Sequence, residues 1–229
     1  MKTAKFKLSC LSEHVDSLSK KLGISMQFIK ISDLNDIWAM VDVFSNTIFL
    51  SGQSFSSKLN PVEVLKIKTL ISHECAHILY TKSFVTNKSS TTYFKVIKSL
   101  TATIEDICVE NRIEQDYGGF KEDFTFLVDQ LWQENIGKNL KPGHGLHGDY
   151  SNDIMGSLFW HIQQRYRNAS LDVPGFKFRS VHDFLPVFKE EIVPIIDNCL
   201  TDCSKDIFKE ADLVLNVLKK HYPSMFKVC

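Results

Sequence analysis

A helical segment at residues 61–81 constrains the fold of this chain more than any other feature of its sequence. Asn60 and Pro61 form a typical helix start, because asparagine caps free backbone N–H groups and proline fits the first helical position. Apolar residues then recur at spacings of three and four, which at about 100° per residue places them on one face. They are Val64, Ile67, Ile71, Cys75 and Ile78. The segment is therefore predicted to be an amphipathic helix that buries one face.

The same helix carries the sequence His-Glu-Cys-Ala-His at residues 73–77. His73 and His77 lie about 40° apart around the helix axis and one turn apart along it, so both imidazoles can reach one metal ion. Glu74 lies about 60° from His77, where it can act as a base on metal-bound water without being a ligand. Cys75 points to the apolar face and is interpreted as a core thiol. The pattern predicts a Zn²⁺ site, against the alternative of two surface histidines on an ordinary helix.

A catalytic zinc ion needs a third protein ligand, and a second predicted helix offers acids for that role. The metzincin arrangement, with a third histidine six residues after His77, is excluded because Ser83 stands there. Asp106 and Glu110 are one turn apart on one face, so one could bind zinc while the other orients a ligand imidazole. Glu105 faces a different direction. The alternative is that these acids form a solvated face.

The stretch HECAHILYT, followed about thirty residues later by IEDICVENRIE, resembles zincin-type metallopeptidases of the gluzincin-like kind. It is most similar to phage and bacterial metallopeptidases that are often encoded as partners of von Willebrand A domain proteins. The resemblance covers about residues 40–125 and implies zinc-dependent hydrolysis of peptide bonds. On this resemblance His73 and His77 are zinc ligands and Glu74 is the base. The third ligand is an acid of the Glu105–Asp106 pair.

Two positions depart from the pattern of that family. Cys108 stands where the family usually carries arginine. Val109 stands four residues after Glu105, so the paired acids of better-known gluzincins are missing. The second departure favours Asp106 over Glu105 as the third ligand, and Glu110 stays open as an alternative.

The order of predicted elements indicates an α+β fold that is mostly helical. Residues 26–31 and 38–50 are rich in β-branched and aromatic residues, with a turn signal inside the second segment, which predicts about three strands. Helices are predicted at about 4–22, 61–81, 93–117, 121–136, 151–168, 181–200 and 204–221. We expect a zincin-like core at 1–125, with the small sheet packed on the motif helix. A C-terminal helical lobe at 126–229 would pack on it without folding independently.

The charge and cysteine content of the chain limit the classes of binding partner and the cellular compartment that are expected. Lys plus Arg and Asp plus Glu both number 27, so no bulk charge attracts nucleic acid or anionic lipid. No apolar run approaches the ~20 residues of a membrane span, and no signal peptide is expected. The six cysteines are scattered without framework spacing, which favours reduced thiols. We therefore expect a cytoplasmic protein, and the resemblance implies that the cell is bacterial or phage-infected.

Two further groups of residues could carry chemistry. The glycine-rich segment 137–150 carries His144, His147 and Tyr150, any of which could stabilise an oxyanion, although histidines in surface loops are often inert. Cys199 and Cys203 lie one turn apart, but no matching pair completes a metal site, so core packing is favoured.

The expected function is that of a zinc metallopeptidase acting on a protein or peptide substrate. Zinc-bound water would attack the scissile carbonyl with help from Glu74, which then passes the proton to the leaving amine. The segment 38–50 could bind substrate by strand addition, or the sheet could only cap the core. The resemblance adds a von Willebrand A domain protein as an expected partner. The alternatives are a catalytically inactive metal-binding sensor or partner-binding module, and a metal-free helical scaffold for phage assembly.

Overall fold

The computed structural model of the protein describes residues 2–31, 39–51, 59–81, 92–139, 150–170, 183–201 and 206–226. The sheet strands are β1 (Gln27–Ile31), β2 (Ala39–Asp42) and β3 (Thr47–Ser51). The longer helices are α1 (Lys2–Leu22), α2 (Pro61–Tyr80), α3 (Thr92–Tyr117), α4 (Lys121–Asn139), α5 (Tyr150–Arg167), α7 (Val193–Thr201) and α8 (Ile207–His221). Shorter turns are α6 (Phe184–Val187), a π-helical segment (Phe188–Ile192) and a 3-10 helix (Pro223–Phe226). The prediction of a mostly helical α+β fold is confirmed for these residues.

Within the described residues the sheet has the strand order β1-β3-β2, with β1 parallel and β2 antiparallel to β3. A tight turn joins β2 to β3, where the Asp42 carboxylate accepts the Phe44 N–H at 3.0 Å and the Ser45 hydroxyl at 2.8 Å. Asn46 completes the turn with φ 51°, a left-handed conformation that asparagine tolerates. Ile48 and Leu50 of β3 are buried, and β2 packs against α2.

Helix α2 begins as its sequence predicts. The Asn60 side chain accepts the Glu63 N–H at 2.9 Å, and the Glu63 carboxylate accepts the Asn60 N–H at 2.7 Å, forming a capping box in front of Pro61. Ile67 and Ile71 are fully buried on the predicted apolar face. This fixes which side of α2 faces the core and which side carries the histidines.

Glu114 connects the end of α3 to the start of α4. Its carboxylate accepts the backbone N–H groups of Gly119, Phe120 and Lys121 at 3.2, 2.6 and 3.0 Å. Gly118 and Gly119 both have positive φ, which glycine adopts at no steric cost. The sharp connection therefore depends on one acid and two glycines.

The chain divides into two compact units, Met1–Lys82 with Val109–Leu127, and Ser83–Cys108 with Val128–Cys229. The first contains the sheet and α2. The second has a large apolar core of side chains from α3, α5, α6, α7 and α8, including Ile104, Leu158, Phe184, Ile196 and Leu215. The boundary falls inside α3, which is a single uninterrupted helix. The predicted division at residues 125 and 126 stays a prediction.

One predicted helix is interrupted. The segment expected to be helical at 181–200 contains a π-helical turn, in which the Val193 N–H bonds the Phe188 carbonyl. Pro194 follows directly, and it has no N–H to donate back to the preceding turn. The altered hydrogen bonding before Pro194 is consistent with that missing donor.

Candidate metal centre

His73 and His77 present their Nε2 atoms to a common point. They lie on adjacent turns of α2, and their Nε2 atoms are 3.2 Å apart. The rings meet edge to face, with centroids 4.7 Å apart and planes at 83°. The capped start of α2 and its buried apolar face set this orientation, because they fix the rotation of the helix.

The opposite nitrogen of each ring contacts an oxygen of the protein. His73 Nδ1 lies 2.8 Å from Glu110 Oε1, and His77 Nδ1 lies 2.9 Å from Thr81 Oγ1. An ionised carboxylate only accepts hydrogen bonds, so beside an ionised Glu110 a neutral His73 ring would donate from Nδ1 and have its lone pair on Nε2. Thr81 can accept from His77 in the same way. Such contacts orient metal-ligating imidazoles and set their tautomers.

Asp106 of α3 completes a group of three potential ligands. One ligand atom from each of His73, His77 and Asp106 lies within 4.8 Å of the others. Ligand nitrogens at 2.0–2.1 Å from a tetrahedral ion would be roughly 3.3 Å apart, close to the 3.2 Å between the two Nε2 atoms. In the described part of the chain this group could therefore hold a metal ion.

Glu74 and Cys75 follow His73 directly but have different surroundings. Glu74 is 7% exposed, so its carboxylate is largely shielded from bulk solvent. Cys75 is fully buried, and its Sγ donates to Met26 Sδ at 3.0 Å. Burial, with a smaller contribution from the charge of Glu74, raises the pKa of the Cys75 thiol to about 12. The interpretation of Cys75 as a core thiol agrees with this placement.

Aromatic and polar contacts flank the histidines. Phe124 packs edge-on against the His73 ring with centroids 6.3 Å apart. The Tyr80 hydroxyl donates to Asp116 at 2.9 Å, and Arg112 donates to the same carboxylate at 3.0 Å. Burial, followed by the bond to Asp116, raises the pKa of Tyr80. These contacts hold the C-terminal ends of α2 and α3 together.

The remaining predicted residues divide into those placed elsewhere and those outside the described residues. Glu105 does not belong to the group of three, whereas Glu110 contacts His73. His144 and His147 lie outside the described residues, and the side chain of Tyr150 is not described.

Of the two cysteines near the C-terminus that were considered as metal ligands, one lies in the described part of the chain and one does not. Cys199 is buried and donates to the Ile195 carbonyl at 3.6 Å, in agreement with core packing. Cys203 lies outside the described residues.

Two residues that contact one of the three potential ligands were not identified from the sequence. Thr81 is four residues after His77, so helical spacing was a usable signal. Arg167 pairs with Asp106 at 3.5 Å, and no local pattern links positions so far apart.

Comparison of the chain with family models, with curated proteins and with solved structures gave no match. Among the described residues, none of the helices combines the length and apolarity needed to cross a membrane.

Proposed function

We propose that the protein is a zinc-dependent metallopeptidase. The observation that carries this proposal is the convergence of two imidazole Nε2 atoms, 3.2 Å apart, with the Asp106 carboxylate nearby. Two histidines and one acid form a ligand set typical of catalytic zinc, in which a fourth position is left for water or substrate. A purely structural zinc site would instead close with four protein ligands.

Zinc bound by these residues would supply a Lewis acid that polarises a carbonyl and lowers the pKa of water. His73 and His77 would offer Nε2, while Glu110 and Thr81 hold the Nδ1 atoms of the two rings. The Glu74 carboxylate is the proposed general base, since it is next to His73 in the sequence and shielded from solvent. It would accept a proton from the attacking water and donate it to the nitrogen of the leaving amine.

Strand β2 supports a peptide as the substrate. Among the described strands it pairs with β3 on one side only and forms an edge of the sheet, and it packs against α2. An extended peptide can add to such an edge through main-chain hydrogen bonds, which recognise the backbone rather than one particular side chain. The proposed substrate is therefore an extended segment of a protein or peptide.

The test combines metal analysis with a cleavage assay on a degenerate peptide library. Wild-type protein should bind one equivalent of zinc and cleave the library. His73→Ala should lose zinc, whereas Glu74→Gln should keep zinc and lose turnover. Glu122→Gln, an exposed acid on α4, is the matched control and should behave like wild type.

The same assay separates the alternatives. Zinc binding with equal, negligible cleavage by wild type and Glu74→Gln would point to a metal-binding module without catalysis. Absence of zinc binding by the wild type would exclude the peptidase and leave a helical scaffold.

A further inference from the structure

Arg167 is a buried cation that contacts the proposed third ligand. It is the last residue of α5, and its side chain is 8% exposed. Its Nη2 lies 3.5 Å from Asp106 Oδ2. Its Nη1 donates to Gln163 Oε1, one turn earlier on α5, at 3.1 Å. The planar guanidinium is therefore held by Gln163 at one nitrogen and directed at Asp106 by the other.

The position of Arg167 at the end of α5 has an ordinary structural explanation. A cation at the C-terminus of a helix is favoured by the helix dipole. However, an exposed cation can interact with the helix dipole equally well. Arg165, on the same helix, has an exposed side chain and pairs with Asp197 at 3.2 Å. The helix dipole does not account for a buried guanidinium directed at an acid of α3, because burying a charge is costly without a specific partner.

We infer that Arg167 is a positioning residue that holds Asp106 to one metal-ligating oxygen. This inference rests on the proposed function. With Oδ2 in the ion pair with Arg167, the Asp106 carboxylate would offer its other oxygen to a bound metal ion, which would leave a position on the ion for water. Without Arg167, both oxygens can turn towards the cation. A second oxygen would fill the position that water needs, while the loss of a nearby positive charge would not weaken metal binding.

Cobalt substitution tests this inference, because four-coordinate Co²⁺ absorbs visible light more strongly than Co²⁺ of higher coordination number. Arg167→Met and Arg167→Gln should bind Co²⁺ at least as tightly as wild type, with a weaker and shifted visible band. Peptide cleavage should fall by about 10- to 100-fold. Arg167→Lys, which keeps the charge, should recover part of both signals. Arg165→Met is the matched control and should leave the spectrum and the cleavage rate unchanged.

A purely structural role would lower thermal stability without changing the spectrum at saturating Co²⁺. Wild-type spectra in the Met and Gln variants would therefore overturn the inference, and so would loss of Co²⁺ binding. Two neutral variants, Arg167→Met and Arg167→Gln, are compared so that the inference can still be tested if one of them misfolds. If wild-type protein itself binds no Co²⁺, the proposed function fails as well, whereas unchanged variant spectra refute the role of Arg167 alone.

Discussion

At the scale of single residues, the candidate site depends on which nitrogen each histidine presents. Glu110 and Thr81 bind the Nδ1 atoms, which leaves the two Nε2 atoms to face each other. The ability of each imidazole to bind a metal ion through Nε2 therefore depends on the hydrogen-bonded partner of its Nδ1 atom.

Glu110→Ala should weaken zinc binding by about 10- to 100-fold, because His73 loses the acceptor that orients its ring. Competition with a chromophoric chelator measures the change in dissociation constant. Glu105→Ala, on the same helix, is the control and should bind zinc like wild type. An equal or larger loss in Glu105→Ala would instead identify Glu105 as the third ligand and contradict the assignment of Asp106.

The Cys75 thiol should be unreactive in the folded protein. Its pKa of about 12 leaves almost no thiolate at about pH 8, and the thiolate is the nucleophile. Alkylation with iodoacetamide followed by peptide mapping should find Cys75 unmodified in native protein and modified in concentrated guanidinium. Rapid native alkylation of this peptide would show that the thiol is not buried as described.

The sequence alone was sufficient to predict those site residues that lie within a few positions of one another along the chain. His73, His77 and Cys75 follow helical periodicity, and their placement could be predicted from one turn of α2. The i,i+4 relation of Asp106 and Glu110 predicted two different roles for them without saying which residue has which. Arg167 could not be found, since its contact with Asp106 is created by tertiary packing and has no counterpart in local sequence.

At the scale of elements, helix ends were predictable where capping chemistry is strong. Helix α2 was expected at 61–81 and spans Pro61–Tyr80, because Asn60 and Pro61 define its start. The parallel pairing of β1 with β3 was not predicted, since local patterns indicate strands and not their partners. The π-helical segment was also missed, because its apolar spacing resembles that of an ordinary helix.

Glu114→Ala should destabilise the connection between α3 and α4. The substitution removes an acceptor for three backbone N–H groups, and a loss of about 1–3 kcal/mol in the free energy of unfolding is expected. Urea denaturation measures it. Gln115→Ala, an exposed neighbour on α3, is the control and should change stability by less than about 0.5 kcal/mol. Equal effects of the two substitutions would contradict a capping role for Glu114.

The stability of the folded chain should depend on metal binding. A ligand that binds only the folded state stabilises it by mass action, by about 2.7 kcal/mol at a hundredfold excess over its dissociation constant. Zinc should therefore raise the unfolding midpoint of wild-type protein, and EDTA should reverse the effect. His73→Ala should show no zinc dependence. The same zinc-induced shift in both proteins would mean that zinc binds elsewhere.

Because α3 is continuous, insertions or deletions between Asp106 and Glu110 would disturb the candidate site. Asp106 and Glu110 lie on one uninterrupted helix, four residues apart. Inserting a single residue between them would rotate everything that follows by about 100° relative to Asp106. Glu110 would then leave the side of the helix that meets His73, although no side chain had been substituted. Related chains should therefore vary freely in the lengths of their loops and keep the spacing of these two acids unchanged.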